Sequence, residues 1–212
     1  MANSKKYGER CIAGIVVDYT YGKLGLKKGD DNRAQWIRPV TSDTHGQVPA
    51  KLVKDVVVGD LLEIMALGAQ PDGFQSENVL FTPRSLSKLI TIRFTGKTLE
   101  QLADTDEFPF HSKEARLAEE AVTSLHHSLC CVRVEHFYPH IREFGFKPVL
   151  RAAFDYHGVH YDLPITDVPY NTAFRESPDS FPKQDSGWLC ISLGLAHEGW
   201  HYLLVAGVIP VG

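Results

Sequence analysis

The chain has 212 residues, of which 43% are hydrophobic and 23% charged, so it can fill a core and is not a disordered chain. Its net charge of -4 excludes a histone-like protein that coats phosphates along its whole surface. The charge is uneven: residues 1–100 contain 14 Lys and Arg against 11 Asp and Glu, which makes this half the better candidate for an anionic partner.

Neither the cysteines nor the apolar runs point to secretion or to a membrane. Four cysteines, of which Cys130 and Cys131 are adjacent, do not make a disulfide framework. The polar start lacks the apolar core of a signal peptide, and no apolar run is long enough to cross a bilayer. We therefore expect a cytoplasmic protein.

Five short strands are predicted in the first 97 residues. They are rich in Val, Ile, Leu and aromatic residues, and turns separate them. They lie at residues 11–19, 35–40, 56–67, 77–81 and 89–94. Five short strands with little helix are typical of a small barrel.

Residues 98–125 have a different pattern. Thr98 begins a helical turn, and Ser112 precedes a second stretch in which apolar residues follow helical spacing. Those apolar residues are Ala115, Ala118, Val122 and Leu125. We interpret this segment as a helical connector.

Strands resume in the C-terminal part, with a helical piece between the third and the fourth. The strands are predicted at residues 129–135, 149–156, 159–165, 188–193 and 200–209, and the helical piece at 168–176. Three strands, a helix and two strands is the order of an OB fold. The fold class is therefore mainly β: two tandem five-stranded OB-fold-like barrels, at residues 1–97 and 126–212, joined by a helical connector at 98–125.

The residues His197-Glu198-Gly199-Trp200-His201 match the H-E-x-x-H signature of zinc peptidases. That signature works because a helix places both imidazoles on one face. Here Gly199 and strand-like flanks favour a polar β-turn, so a zinc-dependent hydrolase is a minor alternative.

The remaining candidates for metal binding or catalysis are weak. His126, His127, Cys130 and Cys131 lie close together but lack paired C-x-x-C spacing, and the cysteines are more simply buried apolar residues. Cys190 could pair with a histidine across two strands, but a core cysteine is the simpler interpretation. We expect no catalytic residue, no metal and no cofactor.

A nucleic-acid interface has the best support among the binding functions. Trp36 and Arg38 alternate on one strand and so share a face, where they could stack on a base and contact a phosphate. The alternative is that Trp36 lies in the core and Arg38 covers it. The other candidates of the first barrel are Lys23, Lys27, Lys28, Arg84 and Arg93, and those of the second are Arg151, Tyr156, Tyr170, Lys183 and Trp200.

Three segments resemble the dual OB-containing domain family of small bacterial proteins. They are Trp36–Val40 (WIRPV), residues 151–167 (RAAFDYHGVHYDLPITD) and residues 189–209 (LCISLGLAHEGWHYLLVAGVI). Leu195-Ala196 departs from the acidic-proline turn of that family. The resemblance implies two OB folds, a role in recognising nucleic acid or nucleotides, and participation in bacterial conflict or defence systems.

We therefore predict a non-enzymatic recognition module that binds single-stranded nucleic acid or a nucleotide-like ligand, mainly through the first barrel. The alternative is a protein–protein adaptor that docks an effector through the acidic C-terminal barrel.

Overall fold

The computed structural model describes residues 9–10, 12–20, 23–26, 35–42, 48–144 and 147–211. Strands dominate these residues, as the sequence predicts. The strands are β1 (Glu9–Arg10), β2 (Gly14–Ile15), β3 (Val17–Thr20), β4 (Lys23–Leu26), β5 (Trp36–Val40), β6 (Val48–Pro49), β7 (Asp60–Glu63), β8 (Ala66–Ala69), β9 (Asn78–Phe81), β10 (Ser87–Thr91), β11 (Arg116–Ala118), β12 (Leu129–Phe144), β13 (Lys147–Tyr156), β14 (Val159–Pro164), β15 (Gln184–His197) and β16 (Trp200–Val208). The α-helices are α1 (Gly96–Leu102), α2 (Glu119–Val122) and α3 (Val168–Glu176), and none of them is long and apolar enough to cross a membrane.

The described strands of the N-terminal half pair in four small sheets rather than in one closed barrel. The pairs are β3–β4, β1–β6 and β7–β10, and the fourth sheet has the order β2-β5-β9-β8. These strands have two to five residues, and a register shift between Lys88 and Ile90 interrupts the β7–β10 pair. Such short ladders do not extend into one continuous five-stranded sheet among the described residues.

The connector is less helical than its sequence predicts. α1 forms at its start, but the stretch with helical spacing contains the strand β11 before the four-residue helix α2. The reason is tertiary: β11 pairs with β16, with Leu117 opposite His201. The connector is also fixed to β12, since Asp104 N donates to Cys131 O at 2.8 Å and Cys131 N donates to Asp104 Oδ2 at 2.7 Å.

The C-terminal strands form one curled six-stranded sheet in the order β11-β16-β15-β12-β13-β14. A parallel bridge between Ile165 and Val205 brings the end of β14 to β16. The strands β12 to β16, with α3 after the third, follow the order predicted for an OB fold. The added strand β11 is the difference from the predicted five.

The two hairpins of this sheet whose turn residues the structure describes each turn on a residue pair in the left-handed region. His157 and Gly158 (φ 48° and 77°) join β13 to β14, which confirms the predicted turn. Glu198 and Gly199 (φ 53° and 79°) join β15 to β16. Two successive positive φ angles match the twist of the flanking strands.

The inner face of the curled sheet holds the largest core of the described residues. Phe154, Tyr161, Leu163, Leu189 and Ile191 are among its buried members, each at most 2% exposed. This core follows from the alternation of apolar and polar residues along β13 and β14. The outer face of the same sheet is therefore the face that can contact the rest of the chain or other molecules.

The N-terminal half covers one end of that outer face. Leu129, Cys131, Trp188 and Cys190 lie there, and we call them the covered end. They pack in two apolar clusters against Ala13, Ile15, Trp36, Phe94, Leu99 and Leu102. The two halves are thus joined by a buried apolar interface.

Candidate functional site

Trp36 and Arg38 do share a face of β5, but that face is turned towards the C-terminal sheet. Trp36 packs in both apolar clusters of the covered end, and its indole Nε1 is buried without a hydrogen-bond partner among the described residues. Arg38 is 6% exposed. The expected stacking and phosphate contacts are therefore not available to this pair, because the other half of the protein occupies the face.

Arg38 belongs to a buried polar network that crosses between the halves. Its guanidinium donates to Ser128 Oγ at 2.7 Å and lies 3.2 Å from Glu77 Oε1. The Ser128 hydroxyl in turn donates to Glu77, and Ser76 donates to the carbonyl of His126 nearby. A cation with an internal carboxylate partner serves structure rather than an external anion.

The other first-barrel candidates are scattered. Lys23 begins β4, and Lys27 and Lys28 lie outside the described residues. Arg84 and Arg93 are exposed, the first in a 3-10 turn after β9 and the second after β10. These two arginines remain candidates for contact with an anion.

Of the two principal candidates in the second barrel, Tyr156 faces inwards. It is 5% exposed, its hydroxyl donates to Asp106 O at 2.9 Å, and burial raises its pKa to about 12. Its ring is therefore not a stacking surface for a base. Arg151 lies an odd number of positions from Tyr156 along β13, so its side chain faces the opposite, outer side of the sheet.

Arg151 lies in an uncovered part of the outer face, which we call the open face. Its members come from three adjacent strands: Tyr138, His140 and Arg142 of β12, Arg151 and Asp155 of β13, and His160 and Asp162 of β14. Tyr138 is 46% exposed. Its ring stacks with that of His140 at an interplanar angle of 4° and a centroid distance of 5.8 Å.

Two carboxylates hold the basic side chains of the open face in place. Asp162 accepts from Arg151 Nε at 2.8 Å, and its oxygens lie 3.1 Å from His140 Nε2 and 3.5 Å from Arg142. Burial raises the pKa of Asp162, but the hydrogen bond and charge of Arg151 outweigh it, so that this pKa lies below its ordinary value. The carboxylate is thus held ionised, and it orients the cations around it.

Asp155 has the same role for two histidines. His160 Nδ1 lies 2.7 Å and His136 Nδ1 2.9 Å from its two oxygens. Hydrogen bonds from these imidazoles lower the pKa of Asp155. Asp155 thus orients two imidazole rings on this side of the sheet.

The H-E-x-x-H residues form a hairpin, as their flanks predict. His197 lies opposite Trp200 and His201 opposite Ala196, so the two imidazoles point to opposite faces of the sheet. His201 is buried, with Nδ1 2.8 Å from Gly194 O and its ring against the edge of Phe74. The residues do not converge on a zinc ion.

Three of the four cysteines, Cys130, Cys131 and Cys190, are described by the structure and are buried, as the simpler interpretation predicts. Burial raises the pKa of Cys130 and Cys131 well above the ordinary value, and that of Cys190 to about 11. No group of three or more His, Cys, Asp or Glu side chains in the described ranges is arranged to hold a metal ion. A nucleophilic thiolate also has no support at these positions.

The sequence reasoning did not single out Tyr138, His140 or Arg142. The predicted strand ended at residue 135, whereas β12 continues to Phe144. Pro139 lies in this continuation, and proline is unusual inside a strand because it has no backbone N–H for the ladder. The available signal was the alternation of Tyr138, His140 and Arg142, which places all three on one face.

Comparison with known proteins identifies a family for nearly the whole chain. The family model described as the dual OB-containing domain matches residues 1–208. No curated protein and no solved structure gives a significant match to the chain.

Proposed function

Because the chain belongs to the dual OB-containing domain family, we propose that it is a non-catalytic module that binds single-stranded nucleic acid on its open face. OB folds generally serve as binding modules for oligonucleotides and similar ligands. The observation that carries the proposal is the exposed Tyr138 ring, stacked with His140 and flanked by Arg142 and Arg151. Proteins that bind single strands combine such rings with cations along a surface.

This proposal moves the binding surface from the first barrel to the second. Trp36 and Arg38 support the joint between the halves, whereas the open face is accessible to a strand. Asp155 and Asp162 lower the net charge of the surface, so we expect moderate affinity that weakens as the salt concentration rises.

The test is a fluorescence-anisotropy titration with short single-stranded DNA and RNA at two salt concentrations. Tyr138→Ala removes the ring, and we expect it to weaken binding by about tenfold, in line with the loss of one stacked base. Tyr138→Phe keeps the ring and should bind as the wild type does. Arg142→Gln should reduce the slope of log K against log salt by about 1.

Arg84→Gln tests the rival surface, since Arg84 is an exposed arginine and a remaining candidate of the N-terminal half. Unchanged binding by this variant is expected. If Arg84→Gln weakens binding and Tyr138→Ala does not, the ligand lies on the N-terminal half instead. No binding by the wild type at low salt would contradict the proposal as a whole.

A protein–protein adaptor is the second candidate, and one observation favours it. Four apolar side chains of the N-terminal half, Met65, Leu67, Leu89 and Ile90, are each 57–60% exposed. These residues lie in or next to β8 and β10, and both strands are outer strands of their sheets. The test is to purify the protein from its native host and look for a stoichiometric protein partner. A partner that no longer co-purifies with the Leu67→Glu variant, in a protein that binds no oligonucleotide, would select this function.

A further inference from the structure

A groove of about 360 Å³ lies at the β11 edge of the C-terminal sheet, whereas the open face lies on β12 to β14. Phe110, Leu117 and Leu125 supply its apolar lining, and Glu114, Arg116 and Trp200 are among its polar and aromatic members. A volume of this size, with a few polar groups on an apolar lining, is within the range of small-molecule sites.

Arg116 and Trp200 form a cation–π pair in this groove. The guanidinium carbon of Arg116 lies 4.0 Å from the centroid of the Trp200 ring. The register of β11 and β16 explains the contact, because Leu117 lies opposite the buried His201. Arg116 and Trp200 are each next in sequence to one of these two residues, so they lie diagonally to each other on the outer side. Aromatic rings and guanidinium planes are the two protein surfaces on which nucleobases stack.

The backbone beside this surface is held in an unfavourable conformation. Phe110 and His111 have φ angles of 52° and 59°, in the left-handed region that bulky residues rarely adopt. Burial of the Phe110 ring (1% exposed) and a 2.8 Å hydrogen bond from the Tyr161 hydroxyl to Ser112 O hold the loop in place. Strained backbone of this kind concentrates where a loop is shaped for a ligand.

We propose that this groove binds a single nucleotide, with its base stacked on the surface formed by Arg116 and Trp200. The guanidinium favours a flat ring system that carries a negative phosphate, and the Glu114 carboxylate accepts hydrogen bonds from the amino or imino groups of a base. The nucleotide is either free or the terminal residue of a strand, since both present the same base and phosphate. The site is separate from the open face and does not depend on it.

The test follows the three indole N–H signals of the ¹⁵N-labelled full-length chain by NMR while each of the four ribonucleoside monophosphates is added. Loss of one signal in Trp200→Phe assigns Trp200. We expect at least one nucleotide to shift the Trp200 signal saturably and to leave Trp36 and Trp188, which are packed between the halves, unchanged. Arg116→Gln should weaken this binding by about tenfold. Arg133→Gln, an exposed arginine of β12, is the control and should not weaken it.

The outcomes separate this site from the open face. Tyr138→Ala should leave the Trp200 shift unchanged even if it abolishes oligonucleotide binding. A shift by a 5′-phosphorylated oligonucleotide as well as by mononucleotides identifies a strand end, and a shift by mononucleotides alone identifies a free nucleotide. No Trp200 shift at millimolar nucleotide, an equal shift with inorganic phosphate alone, or equal weakening by Arg116→Gln and Arg133→Gln would overturn the proposal.

Discussion

At the scale of single residues, the same side-chain chemistry has two different uses in this protein. Arg38 is enclosed with Glu77 and Ser128, where its charge balances a buried carboxylate. Arg151 makes a closer ion pair with Asp162, at 2.8 Å, and its side chain is also largely buried. The partners distinguish the two arginines: the Arg38 network joins the two halves, whereas the Arg151 pair lies within the C-terminal sheet.

The Arg38 network should be sensitive to the loss of one partner. We expect Arg38→Met to lower the free energy of unfolding by about 3–5 kcal/mol, because the Glu77 carboxylate stays buried without its counter-ion. Arg38→Met combined with Glu77→Gln should recover part of that loss. Urea unfolding of the two variants measures both effects. The prediction fails if Arg38→Met is as mild as the same change at the exposed Arg93.

At the scale of elements, α3 shows how one side chain can fix a helix to the sheet. Asp167 Oδ1 accepts from Tyr170 N at 3.1 Å as the N-cap, and Oδ2 accepts from Val208 N of β16 at 3.1 Å. The residue is 2% exposed, and this burial raises the pKa of its carboxyl group. One carboxylate thus closes the start of the helix and binds it to the last strand.

Asp167→Ala should therefore destabilise the protein by about 1–2 kcal/mol, the usual range for the loss of an N-cap, with an added loss at Val208. Asp167→Asn keeps an oxygen for the Tyr170 N–H and should cost clearly less. Thermal unfolding of the pair gives the comparison. Equal destabilisation by Ala and Asn would show that the negative charge, and not the cap, matters.

Local sequence patterns predict the elements of the C-terminal half well. They predict strand pairing between distant segments less well. The bounds of α3 and the turn at His157-Gly158 depend on residues next to them in sequence, so the predicted positions are confirmed. β11 depends on pairing with β16, far along the chain, and helical spacing at Ala118 and Val122 could not reveal it.

The candidate site shows the same limit. The period of two correctly places Trp36 and Arg38 on one face, but alternation says nothing about what covers that face. His136, at φ 51° where the register of β12 and β13 shifts, and Pro139 concealed the continuation of β12 that carries Tyr138. Burial between distant segments decided which predicted side chains were accessible.

At the scale of the whole molecule, the two halves share a core. Trp36 of the N-terminal half packs with Cys131 and Trp188 in one cluster and with Leu129 and Cys190 in another. The Arg38 network crosses the same joint. At this contact, neither half has the water-exposed surface that an independently folded domain would have.

The shared core predicts cooperative unfolding. The wild type should unfold in a single calorimetric transition, because loss of one half exposes the apolar surface of the other. Trp36→Ala should lower the transition temperature and divide the transition into two. Leu89→Ala, at an exposed apolar residue, is the control and should leave one transition. Two independent transitions in the wild type would contradict the prediction.

The covered end also constrains how such a protein can evolve. Tandem domains that touch only through a linker can be recombined with other domains one at a time. Separation here would leave Leu129, Cys131 and Trp188 of the C-terminal sheet facing water, a surface prone to aggregation. We therefore expect the two halves to stay together when domains recombine, so that gene fusions containing one half also contain the other.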